Sequence, residues 1–186
     1  MSEGTVTAAR IVPVLSAAMT RPLTPEDLVE IEAIKQVKYR YARCLDQKLW
    51  DQMGELLTED AVAEYSAGKY RHEGREAIVG WISEAMKAET FLSSHRMHHP
   101  EIELTGPDTA HGTWALEDTV VETAFGITIQ GAAFYEDDYR REDGVWRIAR
   151  TGYKRTYEEI FPRASIEGLR LTASWWATGG ASELEA

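Results

Sequence analysis

Cysteine is all but absent from this chain. Cys44 is the single one in 186 residues, which excludes an intramolecular disulfide and a cysteine-rich zinc site and fits a reducing cytoplasm. Basic charge is also scarce: 20 Lys and Arg stand against 31 Asp and Glu, a net charge of −11. The most basic stretch, "YRREDGVWRIAR", is interleaved with acids. No nucleic-acid footprint or anionic-membrane surface is expected from such a balance. No apolar run approaches the roughly 18–20 residues that span a bilayer. The opening "MSEGTVTAARIVPVLSAAMTRP" is broken by Arg10 and Pro13 and makes a poor signal peptide, so residues 1–24 read as an N-terminal arm. There is no internal repeat, no G-x-G-x-x-G and no phosphate loop, so no cofactor is expected.

What is present is 44% hydrophobic residues over a length suited to one domain. "TPEDL" starts a helix, with Thr24 as cap, Pro25 in the first helical position and Asp27 completing a capping-box pattern. Leu28, Ile31, Ile34, Val37, Tyr41, Cys44 and Leu45 then recur at steps of mostly three and four, an amphipathic stripe that turns the Tyr41 hydroxyl inward. A short second helix carries Trp50, Met53, Leu56 and Leu57, and Asp46 sits at the junction of the two. A third, "GREAIVGWISEAMKA", buries Ile78, Trp81, Ile82 and Met86.

Two short strands flank Gly68, and after the third helix the chain becomes a run of strands separated by the turns "TGPD" and "EDG". Helices followed by antiparallel hairpins predict an α+β domain with helices on one face of a curved sheet. The closing "TGGASELEA" reads as a disordered tail, although Trp175 and Trp176 before it need covering.

Period-two counting is most informative around "SSHRMHHPEIEL", which holds three of the five histidines. In the next strand Ala110, Gly112, Trp114, Leu116, Asp118 and Val120 share a face, so Asp118 falls on the apolar side, where an unpaired carboxylate is costly. Phe91, Ser93, His95, Met97 and His99 share the inward face of the preceding strand, and His98 points away. Ile102 and Leu104 have the other parity, which predicts a bulge near Pro100. His-x-x-His-His on one strand cannot turn three imidazoles to one side, so no metal site is expected.

Taken singly, each inward polar residue has an ordinary explanation. Asp46 can cap the second helix, Tyr41 and His95 can be core, and Asp118 can pair with an arginine such as Arg155. Together, "YRYARCLDQKLWDQMGELLTEDAV", "GREAIVGWI", "SSHRMHHPEIEL" and "YRREDGVWRIAR" resemble the SnoaL-like branch of the nuclear transport factor 2-like superfamily. The resemblance covers residues 25–162, leaving 163–186 as a C-terminal extension. In appearance it is nearest to scytalone dehydratase, bile acid 7α-dehydratase and hexachlorocyclohexane dehydrochlorinase.

That resemblance implies a cone-shaped α+β barrel, three helices closing a bent sheet around a deep apolar pocket. It assigns His95 as base, Asp46 as the residue that orients it, and Tyr41, Asp118 and Arg155 as further catalytic residues. Trp50, Tyr65, Trp81, Met97, His99, Trp114 and Leu116 are the expected substrate lining. The implied activity is a cofactor-independent lyase, with His95 taking a C–H proton and Tyr41, Arg155 or a protonated Asp118 easing departure of water or HX. An isomerase or cyclase in the same pocket, or a non-catalytic ligand-binding module, stays open. A small-molecule substrate, a cytoplasmic location and a homo-oligomer, trimer before dimer, complete the expectation.

Overall fold

Thr24 begins helix α1 (Pro25–Gln47) as its capping residues require. Its Oγ1 accepts the Asp27 N–H at 3.2 Å, and the Asp27 carboxylate accepts the Thr24 N–H at 2.8 Å. Replacing Thr24 by Ala is expected to cost about 1 kcal/mol in urea unfolding, the usual loss for such a cap. The computed structural model describes residues 22–185, so the N-terminal arm read over 1–24 lies almost wholly outside the described residues.

Ile31, Ile34, Val37, Tyr41, Cys44 and Leu45 are buried along α1 as the spacing predicts, but Leu28 is not: it is 54% exposed. Glu30 takes the inward position in that part of the helix, accepting from Trp146 Nε1 at 2.6 Å and Arg141 Nη1 at 2.7 Å. Residues two apart lie on opposite sides of a helix, so Leu28 faces water. Lys48, left-handed at φ 54°, ends α1. Helix α2 (Trp50–Glu55) buries Met53, and α3 (Arg75–Met86) buries Ile78 and Ile82, with Trp81 and Met86 half-buried against the core.

Among the described residues six strands form one sheet: β1 (Leu57–Tyr65), β2 (Tyr70–Glu73), β3 (Phe91–Gly106), β4 (Thr109–Glu122), β5 (Ile127–Glu142) and β6 (Val145–Pro162). Their order is β2-β1-β6-β5-β4-β3, all pairs antiparallel except β1 with β6. The sheet is curved but not closed, and the helices pack on it, the α+β layering that the sequence predicts. Register shifts at His98/Glu101, Ala132/Ala133 and Asp138/Tyr139 interrupt the long strands, and such bulges bend a strand and raise its twist. The alternate residues of β4 from Ala110 to Val120 are buried, Asp118 among them. On β5 the same alternation buries Ala133, Tyr135, Asp137 and Tyr139.

The predicted bulge lies at His99–Pro100, and it overturns one expectation. His99 adopts φ 46° and is exposed, so it does not share the inward face with His95. The extra residue breaks the alternation on which that placement depended. Hydrogen bonds tie together the segment from Thr172 to Glu183. Ser174 is buried, its Oγ accepts the N–H groups of Trp176 and Ala177, and the Glu183 N–H donates to Thr172 O at 2.7 Å.

On the outer face of the sheet His111 sits between Asp138 and Glu136, each 2.8 Å from a ring nitrogen. The Asp138 hydrogen bond, opposed by partial burial and helped by Glu136, pushes this imidazole up to about 9. A raised folded-state value stabilises the fold fully below the ordinary histidine value of roughly 6.5. That contribution is lost as pH rises through about 9. His111→Gln is therefore expected to flatten the fall in Tm between about pH 6 and pH 10; an unchanged fall would assign the pH dependence to other groups.

Candidate active site

The site forms where the end of α1 meets the edge of the sheet. Among the described residues β3 is the terminal strand, so one of its edges has no neighbouring strand there to take its N–H groups. Asp46, in the last turn of α1, supplies an acceptor there. Its carboxylate takes the His95 backbone N–H at 2.9 Å, the Ser93 hydroxyl at 2.9 Å and His95 Nδ1 at 2.7 Å. An ionised carboxylate only accepts, so the His95 proton resides on Nδ1 and the Nε2 lone pair is left free. The His95 side chain is 12% exposed and that of Asp46 24%. Asp46 is not a helix cap: α2 starts after Leu49 with no side-chain cap.

Asp118 lies directly across from His95 in the β3–β4 register. Both of its oxygens accept from Arg155, Nη2 to Oδ2 at 2.9 Å and Nη1 to Oδ1. The Arg155 guanidinium thus engages the whole Asp118 carboxyl group. Arg155 Nε lies 3.0 Å from the Glu158 carboxylate, and the guanidinium is 5.0 Å from the Tyr153 ring centroid. Gly131 permits this arrangement, because a Cβ there would meet Tyr157 O at 2.6 Å and Arg155 Nη1 at 3.3 Å.

Tyr41 is fully buried, and its hydroxyl is 2.7 Å from that of Tyr65. Burial, joined for Tyr41 by the neighbouring Tyr65 and Tyr135, pushes both phenols up, so they are neutral donors. Of the expected lining, Tyr65, Trp114 and Leu116 are buried, while Trp50, Trp81 and Met97 are partly buried against the same core. Trp81 stacks on Tyr65 at 5.5 Å and on His72 at 4.7 Å. One cleft reaches Asp118, lined by Ser94, Arg96, Glu117, Thr119, Gln130, Gly131 and Tyr157, and none of the expected lining residues takes part in it.

Sequence reasoning missed three participants. Ser93 had a legible signal, since it shares parity with His95. Lys48 donates to Met86 O at 2.6 Å and Phe91 O at 2.8 Å, tying the end of α1 to the start of β3, and lies 5.1 Å from the Trp176 ring centroid. Lys38 pairs with Asp137 inside the core. Among the described residues, no group of three or more His, Cys, Asp or Glu is placed to hold a metal ion.

A family model described as a SnoaL-like domain matches residues 26–152. Solved structures of similar fold include a protein provisionally named scytalone dehydratase from Novosphingobium aromaticivorans. It is 22% identical with a TM-score of 0.67, over 74% of this chain and 91% of that one. A type 3 hexachlorocyclohexane dehydrochlorinase from Novosphingobium barchaimii is 19% identical, TM-score 0.64, over 77% and 94%. A protein of unknown function from Mycobacterium tuberculosis is 25% identical, TM-score 0.61, over 70% and 73%.

Proposed function

Because the chain belongs to the SnoaL-like domain family, we propose that it is a cofactor-independent lyase of the dehydratase kind. It removes water or HX from a small, largely apolar, polycyclic or aromatic molecule. The observation that carries this reading is the 2.7 Å contact between Asp46 and His95 Nδ1, which leaves Nε2 as a base for a C–H proton. The Asp46 carboxylate holds His95 at its backbone N–H as well as at its ring and stabilises the imidazolium as it forms. The Tyr41–Tyr65 pair donates to the oxygen that leaves or gathers charge. Arg155 is already committed to Asp118 and Glu158, so it shapes the field of the site and leaves proton donation to the phenols.

No helix among the described residues is long and apolar enough to cross a membrane. A cytoplasmic homo-oligomer, trimer ahead of dimer, belongs to the same proposal. The test is incubation with a panel of steroid-like and polyketide-like alcohols and halides, with products read by mass. A product lighter by one water or HX supports the lyase. A rearranged product of unchanged mass means an isomerase or cyclase, and a ligand bound but unaltered means a binding module.

A further inference from the structure

Helix α1 carries a charge into the core that the proposed reaction does not use. Lys38 lies on the buried stripe between Ile34 and Tyr41, and its Nζ is 2.7 Å from Oδ2 of Asp137 on β5, both side chains fully buried. The carboxylate is well served. Thr151 donates to it at 2.7 Å and Tyr139 at 2.8 Å, and Trp114 Nε1 donates to the Tyr139 hydroxyl at 3.0 Å. The ammonium is not. Among the described residues Asp137 is its one charged neighbour, at 2.7 Å, and the rest of the cation faces two rings, Tyr135 at 3.4 Å and Tyr41 at 5.0 Å from their centroids.

Stability is a poor reason for such a pair. Withdrawing two charges from water is repaid only when further hydrogen bonds complete both, and uncharged replacements are often as stable or more so. What the cation does possess is a grip on aromatic faces, which is strong in a dry site. Tyr135 in turn meets Tyr41 edge-on at 6.5 Å and Tyr153 at 5.3 Å. One ammonium thus fixes the wall from which the Tyr41 hydroxyl reaches Tyr65. Burial is the main cause that keeps these phenols neutral, and the negative Asp137 adds to it.

We propose that Lys38 and Asp137 are positioning residues for the tyrosine pair: the buried cation clamps the Tyr41 and Tyr135 rings and so aims the Tyr41 hydroxyl at the substrate oxygen. This rests on Tyr41 being the donor of the proposed lyase. The test is Lys38→Met/Asp137→Asn, which removes both charges; the Asn oxygen keeps an acceptor for one of the two hydroxyls, Thr151 or Tyr139, and its NH₂ donates to the other, which a hydroxyl can accept. The first readout needs no substrate. In NMR spectra of the full chain with ring-labelled tyrosine, the Tyr41 and Tyr135 signals shift and their rings flip faster, while Tm is unchanged or higher. Unchanged tyrosine signals overturn the proposal, and so does a variant that no longer folds, because the pair would then serve stability.

The second readout uses a substrate whose turnover His95→Ala abolishes. There the double variant lowers kcat roughly ten- to a hundredfold at unchanged KM. Tyr41→Phe gives a similar loss, and combining the two adds nothing further. Full kcat in the double variant, or losses that multiply in the combination, overturn the proposal. If His95→Ala spares every turnover the panel reveals, the lyase reading falls, and the ring signals alone decide whether the clamp exists.

Discussion

Turnover of any substrate that the protein dehydrates is expected to fall by a factor on the order of 10² to 10⁴ when His95 becomes Ala, the range for loss of a positioned base. The fold should survive, since the His95 backbone N–H that binds Asp46 is retained in the variant. Asp46→Asn should be nearly as damaging to kcat by a different route. An Asn side chain can turn its NH₂ toward Nδ1, which favours the tautomer with its proton on Nε2 and leaves no lone pair aimed at substrate. Steady-state kinetics on both variants, with circular dichroism to confirm folding, provide the check. A His95→Ala protein that retains wild-type turnover would leave the dyad without a chemical role.

The largest effect on stability is expected at Asp137. Substituting Ala strands the Lys38 ammonium in a fully buried site, and breaking a buried pair from one side costs about 3–5 kcal/mol. Against a total of roughly 5–15 kcal/mol for an ordinary domain, that loss should bring the urea midpoint down sharply. The Lys38 side contributes too: burial lowers its affinity for the proton while Asp137 raises it, so the stranded amine is driven toward its neutral form. A loss within roughly 0.5 kcal/mol, the range of an innocuous surface change, would mean that the two charges do not meet as described.

These two sites differ in how far the chain alone discloses them. Strand alternation places Asp118 inward without help, because β4 runs from Ala110 to Val120 with no break in its pleat. The same counting misplaces His99, because a bulge adds a residue that alternation does not anticipate. Asp46 and His95 are each legible, one at a helix end and one on an inward face. Their contact depends on where a helix end meets a sheet edge 49 residues further along the chain, and only the family resemblance supplied that.

Lys38 was in view throughout, spaced with Ile34, Tyr41 and Leu45 on one stripe, yet a lysine reads as solvent-facing until its partner is known. Asp137 carries the matching signal on β5, in phase with Tyr135 and Tyr139. Leu28 is the converse case. Its hydrophobicity pointed inward, but Trp146, 116 residues after Glu30, holds Glu30 on that side instead.

The placement of His95 on a border strand has a bearing on solubility. A free sheet border is a template onto which another chain can add its own strand, and long flat borders lead to fibres. Here the rung an intruder would need at position 95 is occupied by the Asp46 carboxylate. A few residues on, the kink at His99 and the missing N–H of Pro100 spoil the next stretch. The carboxylate that holds the imidazole therefore also guards the border, and a chain deprived of it is exposed to stacking with its own copies.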